Sequence, residues 1–135
     1  QGSEFLSHYI HLIMLELVRI YSINATKNYH SSKIKIHEIL AFIDNNFRNL
    51  KLETLARHFG YNPTYLSNTL KKSTGKNFQE ILLERRLMQA ADLLKSTDFT
   101  MDTIAFESGF SSTSYFFRQF KKYYNRTPKV YRKEN

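Results

Sequence analysis

LETLARHFGYNPTYLSNTLKKSTG, residues 52–75, and MDTIAFESGFSSTSYFFRQFKKYYN, residues 101–125, are two copies of one pattern. Thr54, Leu55, Ala56 and Gly60 of the first copy match Thr103, Ile104, Ala105 and Gly109 of the second. The second turn takes one extra residue, after which Thr64, Tyr65, Leu66, Leu70, Lys71 and Lys72 match Ser114, Tyr115, Phe116, Phe120, Lys121 and Lys122. Two short helices that cross at a tight turn need these residue types in this order. Ala56 and Ala105 let the first helix approach the second, where a larger side chain would push the pair apart. Gly60 and Gly109 fall in the turn, where a positive φ is expected and a side chain is costly. Leu55, Leu66 and Leu70, with Ile104, Phe116 and Phe120, supply the buried face that fixes the crossing angle. Each copy therefore reads as a helix-turn-helix.

Working outward, Asn62 before Pro63 is a cap and a first helical position, and Gly75 can end that helix in a left-handed conformation. Asn77 and Glu80 form a capping-box pair that opens a longer helix to about Ser96, with Ile81, Leu82, Leu87, Ala90, Leu93 and Leu94 as its apolar positions. At ~1.5 Å per residue this connecting helix is roughly 28 Å long. A last turn starts at Thr127 and Pro128. Upstream, a helix is expected from about Lys33 to Phe47, with Ile36, Ile39, Leu40, Ile43 and Phe47 on one side. Before it lies a polar linker, Ile23 to Ser32. The first helix carries Leu6, Ile10, Ile13, Leu17 and Ile20 at spacings of four and three, a seam that pairs with another helix. Gln1 to Phe5 (QGSEF) reads as a cloning remnant. No alternation of period two appears, so the class is all-α: two helix-turn-helix subdomains joined by a long connecting helix, plus a separate N-terminal amphipathic helix. The expected divisions are residues 1–5, the helix and linker of 6–32, and a double unit of 33–135, itself divided into 33–77, the connecting helix 78–96, and 97–135.

The net charge is +8, and residues 1–30 contribute none of it because Arg19 and Lys27 offset Glu4 and Glu16. A basic excess confined to the repeat region is the footprint expected for a polyanionic partner, since neutralising phosphates releases counterions. Cysteine is absent, which excludes disulfides and cysteine-ligated zinc and fits a reducing, cytoplasmic setting. The longest apolar stretch carries His8, His11, Glu16 and Arg19, so no membrane span is expected. Nothing supports catalysis: His8 and His11 have no carboxylate in a ligand pattern, Asp98, Asp102 and Glu107 read as cap and surface residues, and no phosphate-binding glycine loop occurs. No metal and no cofactor is expected.

The second copy with its tail, IAFESGFSSTSYFFRQFKKYYNRTPKVYR, resembles the signature of AraC/XylS-type transcription regulators, and ERRLMQAADLLKSTDFTMDTIA resembles that family's connecting helix and its exit. The resemblance covers roughly Ile36 to Lys133. Asn125 stands where the family usually has Gly, Lys51 replaces the usual Ser cap, and Asn68 and Thr69 replace bulkier or basic residues. The resemblance implies a bacterial, sequence-specific, double-stranded DNA-binding regulator, activation being the family's commoner habit, with RNA polymerase as a further partner. It implies that two recognition helices, about 63–72 and 112–123, enter successive major grooves. It also implies a separate effector-sensing, dimerising N-terminal domain, of which the Leu6–Ile20 seam would be the end.

Base contacts are expected from outward, early positions of each recognition helix and phosphate contacts from the ends. For the first helix these are Asn62, Thr64, Ser67 and Asn68, with Lys71 and Lys72 towards phosphates. For the second they are Ser112, Thr113, Ser114, Phe117 and Arg118, with Lys121 and Lys122 as backbone anchors. Arg118 on guanine is the sharpest of these, because its planar fork matches O6 and N7. Tyr65 and Tyr115 read as packing residues. Arg85 and Arg86 read as phosphate contacts or a solvated helix face, and Lys129, Arg132 and Lys133 as a basic tail. At this stage one alternative stays open: a basic helical module that binds acidic partners or a membrane surface without sequence specificity.

Overall fold

The computed structural model describes residues 2–28 and 35–135, with side chains for 6–21 and 35–135. Among the described residues there are eight helices and no strand. They are α1 (Gly2–Asn28), α2 (Ile36–Asn46), α3 (Leu52–Phe59), α4 (Pro63–Thr74), α5 (Phe78–Ser96), α6 (Met101–Glu107), α7 (Thr113–Tyr124) and α8 (Pro128–Glu134). The chain divides into two compact units, Gln1–Ile34 and Lys35–Asn135.

The first unit is α1. It takes in Gly2–Phe5 and runs on through Asn28, into the stretch expected as linker. The reason is plain in INATKN: no proline or glycine stops the helix there, and Ala and Lys favour it. The remainder of that linker, 29–32, and the expected start of the next helix at Lys33 lie outside the described residues. The seam residues Leu6, Ile10, Ile13, Leu17 and Ile20 are all exposed, from 50% to 64%.

In the second unit α2, α3, α4 and the start of α5 form the first half, and the end of α5 with α6, α7 and α8 forms the second. Ile39, Ile43, Phe47, Leu50, Leu55, Leu66, Leu70, Phe78 and Leu82 are buried in the first half. Leu87, Ala90, Ala91, Leu94, Ile104, Ala105, Phe110, Phe116 and Phe120 form one cluster in the second, with Tyr115, Phe117, Tyr124 and Tyr131 packed against it. Burial pushes the Tyr124 phenol up to about 12. Ala56 and Ala105, 1% and 2% exposed, stand at the two helix crossings.

The turns are built alike. Gly60 N–H donates to Arg57 O and Tyr61 N–H to Ala56 O; in the second copy Gly109 N–H donates to Phe106 O and Phe110 N–H to Ala105 O. This is the Schellman arrangement, which closes only when the glycine takes a positive φ, here 74° and 91°. Gly75 and Asn125 end the two recognition helices with φ of 77° and 60°, Asn being the next residue after glycine to accept that region.

The likeness runs further than the sequence repeat. Beyond Gly75 and Asn125, Asn77 caps α5 and Thr127 caps α8, each accepting a backbone N–H three residues on. Lys76 pairs with Glu84, and Arg126, fifty positions later, pairs with Glu134. Thus α8 corresponds to the first two turns of α5.

Candidate nucleic-acid interface

Capping fixes the start of both recognition helices. Asn62 Oδ1 accepts from Thr64 N at 2.9 Å and Tyr65 N at 3.3 Å, while Ser112 Oγ accepts from Tyr115 N at 3.1 Å. Both residues were expected to meet bases; their acceptor oxygens are engaged by the helix, which leaves the Asn62 amide and the Ser112 hydroxyl proton as donors. Thr113 donates to Asp102 Oδ1 at 2.5 Å, which joins α7 to α6.

Outward from the caps, Thr64, Ser67, Asn68 and Lys71 occupy one stripe of α4 at spacings of three and four, with Lys72 beside it. Ser114, Phe117, Arg118 and Lys121, with Lys122, occupy the same stripe of α7, each fifty positions after its counterpart. Asn62, Thr64, Asn68, Lys71, Lys72, Ser112, Ser114, Arg118, Lys121 and Lys122 are exposed, and Ser67, Thr113 and Phe117 are half-buried. Each helix buries the opposite side, Leu66 and Leu70 in α4, Phe116 and Phe120 in α7. Phe117 packs on Phe116 with ring centroids 5.7 Å apart, so only part of it faces outward. The Arg118 guanidinium lies 6.0 Å from the Tyr115 ring. Lys71 donates to Gly75 O at 3.0 Å and stands 4.0 Å from Glu80, so in this state it closes its own helix. Tyr115 packs inside as expected, whereas Tyr65 is 48% exposed.

An apolar groove of about 310 Å³ opens beside the α7 stripe, lined by Phe117, Arg118, Lys121, Thr127, Pro128 and Lys129. Lys129 is no loose tail residue: the Thr127 cap turns the chain so that it borders the same groove as Arg118 and Lys121. The signal for this was the Thr-Pro pair that starts α8.

Three arginines read as surface charge turn inward. Arg132 donates to Leu94 O, Phe99 O and Thr97 O at 3.1, 2.9 and 3.2 Å, which closes the C-terminal end of α5. Arg85 stacks on the Phe47 ring at 4.6 Å and lies 3.4 Å from Asp44. Arg86 donates to Phe47 O and Arg48 O, each at 3.3 Å. Burial lowers the pKa of Arg86. Glu84, next along α5, accepts from Lys76 and from the Tyr123 hydroxyl at 3.2 Å, tying the loop after α4 to the end of α7. The Lys76 ammonium, through its hydrogen bond first and its charge second, holds the Glu84 carboxyl below the usual carboxylate range.

Among the described residues no three His, Cys, Asp or Glu side chains gather to hold a metal, and no helix is long and apolar enough to cross a membrane.

A family model described as a helix-turn-helix domain matches residues 55–134. Regulatory protein PocR of Salmonella typhimurium is 37% identical over 106 residues, 78% of this chain and 34% of PocR. The HTH-type transcriptional activator AarP of Providencia stuartii is 35% identical over 98 residues, 72% of this chain and 73% of AarP. Of solved structures, the C-terminal domain of the two-component response regulator yesN from Fusobacterium nucleatum superposes with a TM-score of 0.67 at 36% identity, over 71% of this chain and 95% of that one. The chain thus spans about a third of PocR's length.

Proposed function

The chain belongs to the AraC-type helix-turn-helix family of transcription regulators, and from that premise we propose that it binds double-stranded DNA in a sequence-specific manner, placing α4 and α7 in successive major grooves. One observation carries the reading: two exposed polar and basic stripes, Thr64 to Lys72 and Ser114 to Lys122, stand at equivalent positions of two like-built units. The 19-residue α5 between them is roughly 28 Å long, comparable with a DNA turn of about 34 Å. Thr64, Ser67, Asn68, Ser114 and Arg118 face base edges, with the remaining donors of Asn62 and Ser112 at the groove entrance and Thr113, whose hydroxyl proton is held by Asp102, offering only its oxygen as an acceptor. Phe117 offers its exposed edge to a thymine methyl. Lys71, Lys72, Lys121 and Lys122 meet phosphates, Lys71 after leaving the Gly75 carbonyl.

The regulatory outcome we favour is activation, with support from AarP, which is named an activator, and this would involve contact with RNA polymerase in the cytoplasm. The exposed seam Leu6, Ile10, Ile13, Leu17 and Ile20 pairs with a second copy of α1, since no solvated helix gains from an apolar stripe that wide. Sedimentation at rising concentration tests this; a chain that stays monomeric refutes it.

Selection of bound duplexes from a random pool tests the main reading. Arg118→Ala should weaken binding to the selected site by about 5- to 150-fold, the equivalent of ~1–3 kcal/mol, and bind random duplex almost as before. Lys133→Ala should weaken both slightly and equally. Comparable losses on every sequence, for both variants, would mean a generic polyanion binder instead.

A further inference from the structure

We propose that Arg86, with Arg48 and Gly109, sets the spacing between the two DNA segments read by α4 and α7, by locking the second turn onto the loop that enters the first helix-turn-helix. The inference rests on the two-groove reading, yet it concerns residues that need touch no DNA. A connecting helix alone is an incomplete spacer: it fixes how far apart its ends are, but a unit attached to one end can still roll. Here the roll is blocked by contacts that bypass α5.

Arg86 lies near the middle of α5 and reaches the 47–51 loop between α2 and α3, donating from Nη2 to the Phe47 and Arg48 carbonyls. From that loop Arg48 crosses to the second helix-turn-helix. Its Nη2 donates to Phe106 O at 3.4 Å, its Nη1 stands 3.7 Å from Glu107, and its guanidinium lies 5.3 Å from the Phe106 ring. Gly109 closes the joint from the other side. A Cβ there would lie 2.7 Å from Arg48 O, 3.0 Å from Arg48 Cα and 3.2 Å from Arg86 Nε. The equivalent Gly60 would meet nothing within 4 Å, so the close approach belongs to the joint and is no requirement of the turn.

The joint is also costly in a way that stability alone would not favour. Nε of Arg48 and Nε of Arg86 are buried with no hydrogen-bond partner, and burying a cation with an unmet N–H destabilises. A fixed geometry is what such groups can supply in return. Glu84, two residues before Arg86 and so about 200° around α5, holds Lys76 and Tyr123, which braces the far side of the helix.

The chain has no cysteine, so Lys72→Cys and Lys122→Cys place nitroxide labels at equivalent points of the two recognition helices. Electron–electron distance measurements on the full chain, diluted in unlabelled protein, should give one narrow distribution, broadened at least about twofold by Arg86→Gln. On duplexes selected from a random pool, unlabelled parent protein should lose about tenfold or more when one base pair is inserted or deleted between the contacted segments, and Arg86→Gln only about threefold. A residue that merely stabilises the fold would weaken binding in parallel at every spacing. Should Arg86→Gln fail to fold, Arg48→Ala, at a side chain 43% exposed, carries both measurements. Unchanged label distances together with parallel losses overturn the lock. A pool that yields no two-segment site overturns the groove reading instead, while the label distances still decide the lock.

Discussion

Gly109→Asn should destabilise the protein by more than Gly60→Asn, although both glycines close the same turn with a positive φ. The conformational demand is shared: φ is 74° at Gly60 and 91° at Gly109. A side chain in that region costs about 1–2 kcal/mol, and less for asparagine, which this chain already accommodates at Asn125 with φ 60°. At Gly60 that is the whole cost, because an added Cβ meets nothing within 4 Å. We expect a loss below about 1 kcal/mol there. At Gly109 the added atom would stand 2.7 Å from a backbone oxygen, Arg48 O, which no side-chain rotation relieves. Forcing extra atoms into a packed site costs about 1–3 kcal/mol, and displacing the Arg48 carbonyl also loosens its bond from Arg86. The sum is about 2–4 kcal/mol, a large part of the stability of a small domain. Urea unfolding at one fixed protein concentration checks it, since association would otherwise shift the midpoints. If the two asparagine variants unfold within about 0.5 kcal/mol of each other at equal slope, the close approach at Gly109 has no energetic meaning and the reasoning fails.

Arg132→Ala removes the donor to three backbone carbonyls at the end of α5 and should cost about 2–3 kcal/mol in thermal or urea unfolding, with little effect on DNA affinity once corrected for folded fraction. An unchanged melting curve with weakened DNA binding would return Arg132 to the basic tail. For Glu84 the sign follows from its depressed pKa: its contribution is present above the ordinary value of 4.5 and is lost as pH falls through the folded value. Stability of the parent should therefore drop more steeply than that of Glu84→Gln as pH falls below the ordinary value of 4.5, and parallel curves would show that the Lys76 pair contributes nothing.

The two helix-turn-helix units were legible because their requirements are local. Ala56, Gly60 and Asn62, and their partners Ala105, Gly109 and Ser112, act within a dozen residues of each other, where spacing is visible in the chain. The connecting helix was legible for the same reason, its capping box lying within four residues at Asn77 and Glu80. The outward stripes followed from three- and four-residue spacing, though it could not show that the Asn62 oxygen is engaged by its own helix. What escaped reading were long-range partners of ordinary-looking charges. Arg86 bonds carbonyls 38 and 39 positions away, and Arg132 carbonyls 33 to 38 positions away. A backbone carbonyl leaves no mark in the sequence, so a guanidinium that seeks one looks like any surface arginine.

The fifty-residue correspondence shows why one of those arginines lies where it does. Lys76 with Glu84 recurs as Arg126 with Glu134, and buried Phe78 recurs as buried Pro128, so α8 repeats the start of α5. Within that match Leu82, 1% exposed in the first core, is replaced by Arg132. After the first copy the helix runs on as α5 into the second half; after the second copy the equivalent turns, α8, lie back against α5 itself. An apolar residue at position 132 could cover α5 there, but it could not donate to the carbonyl of Leu94 in the last turn of α5 or to those of Thr97 and Phe99 just beyond it. The arginine does both with one side chain, its stem packing and its fork donating. α5 is then secured at its start by Asn77 and Glu80, near its middle by Arg86, and at its end by Arg132. A rod held at three points carries the two turns as one body, and changes at those points should alter how far apart the recognition helices stand before they alter what either helix touches.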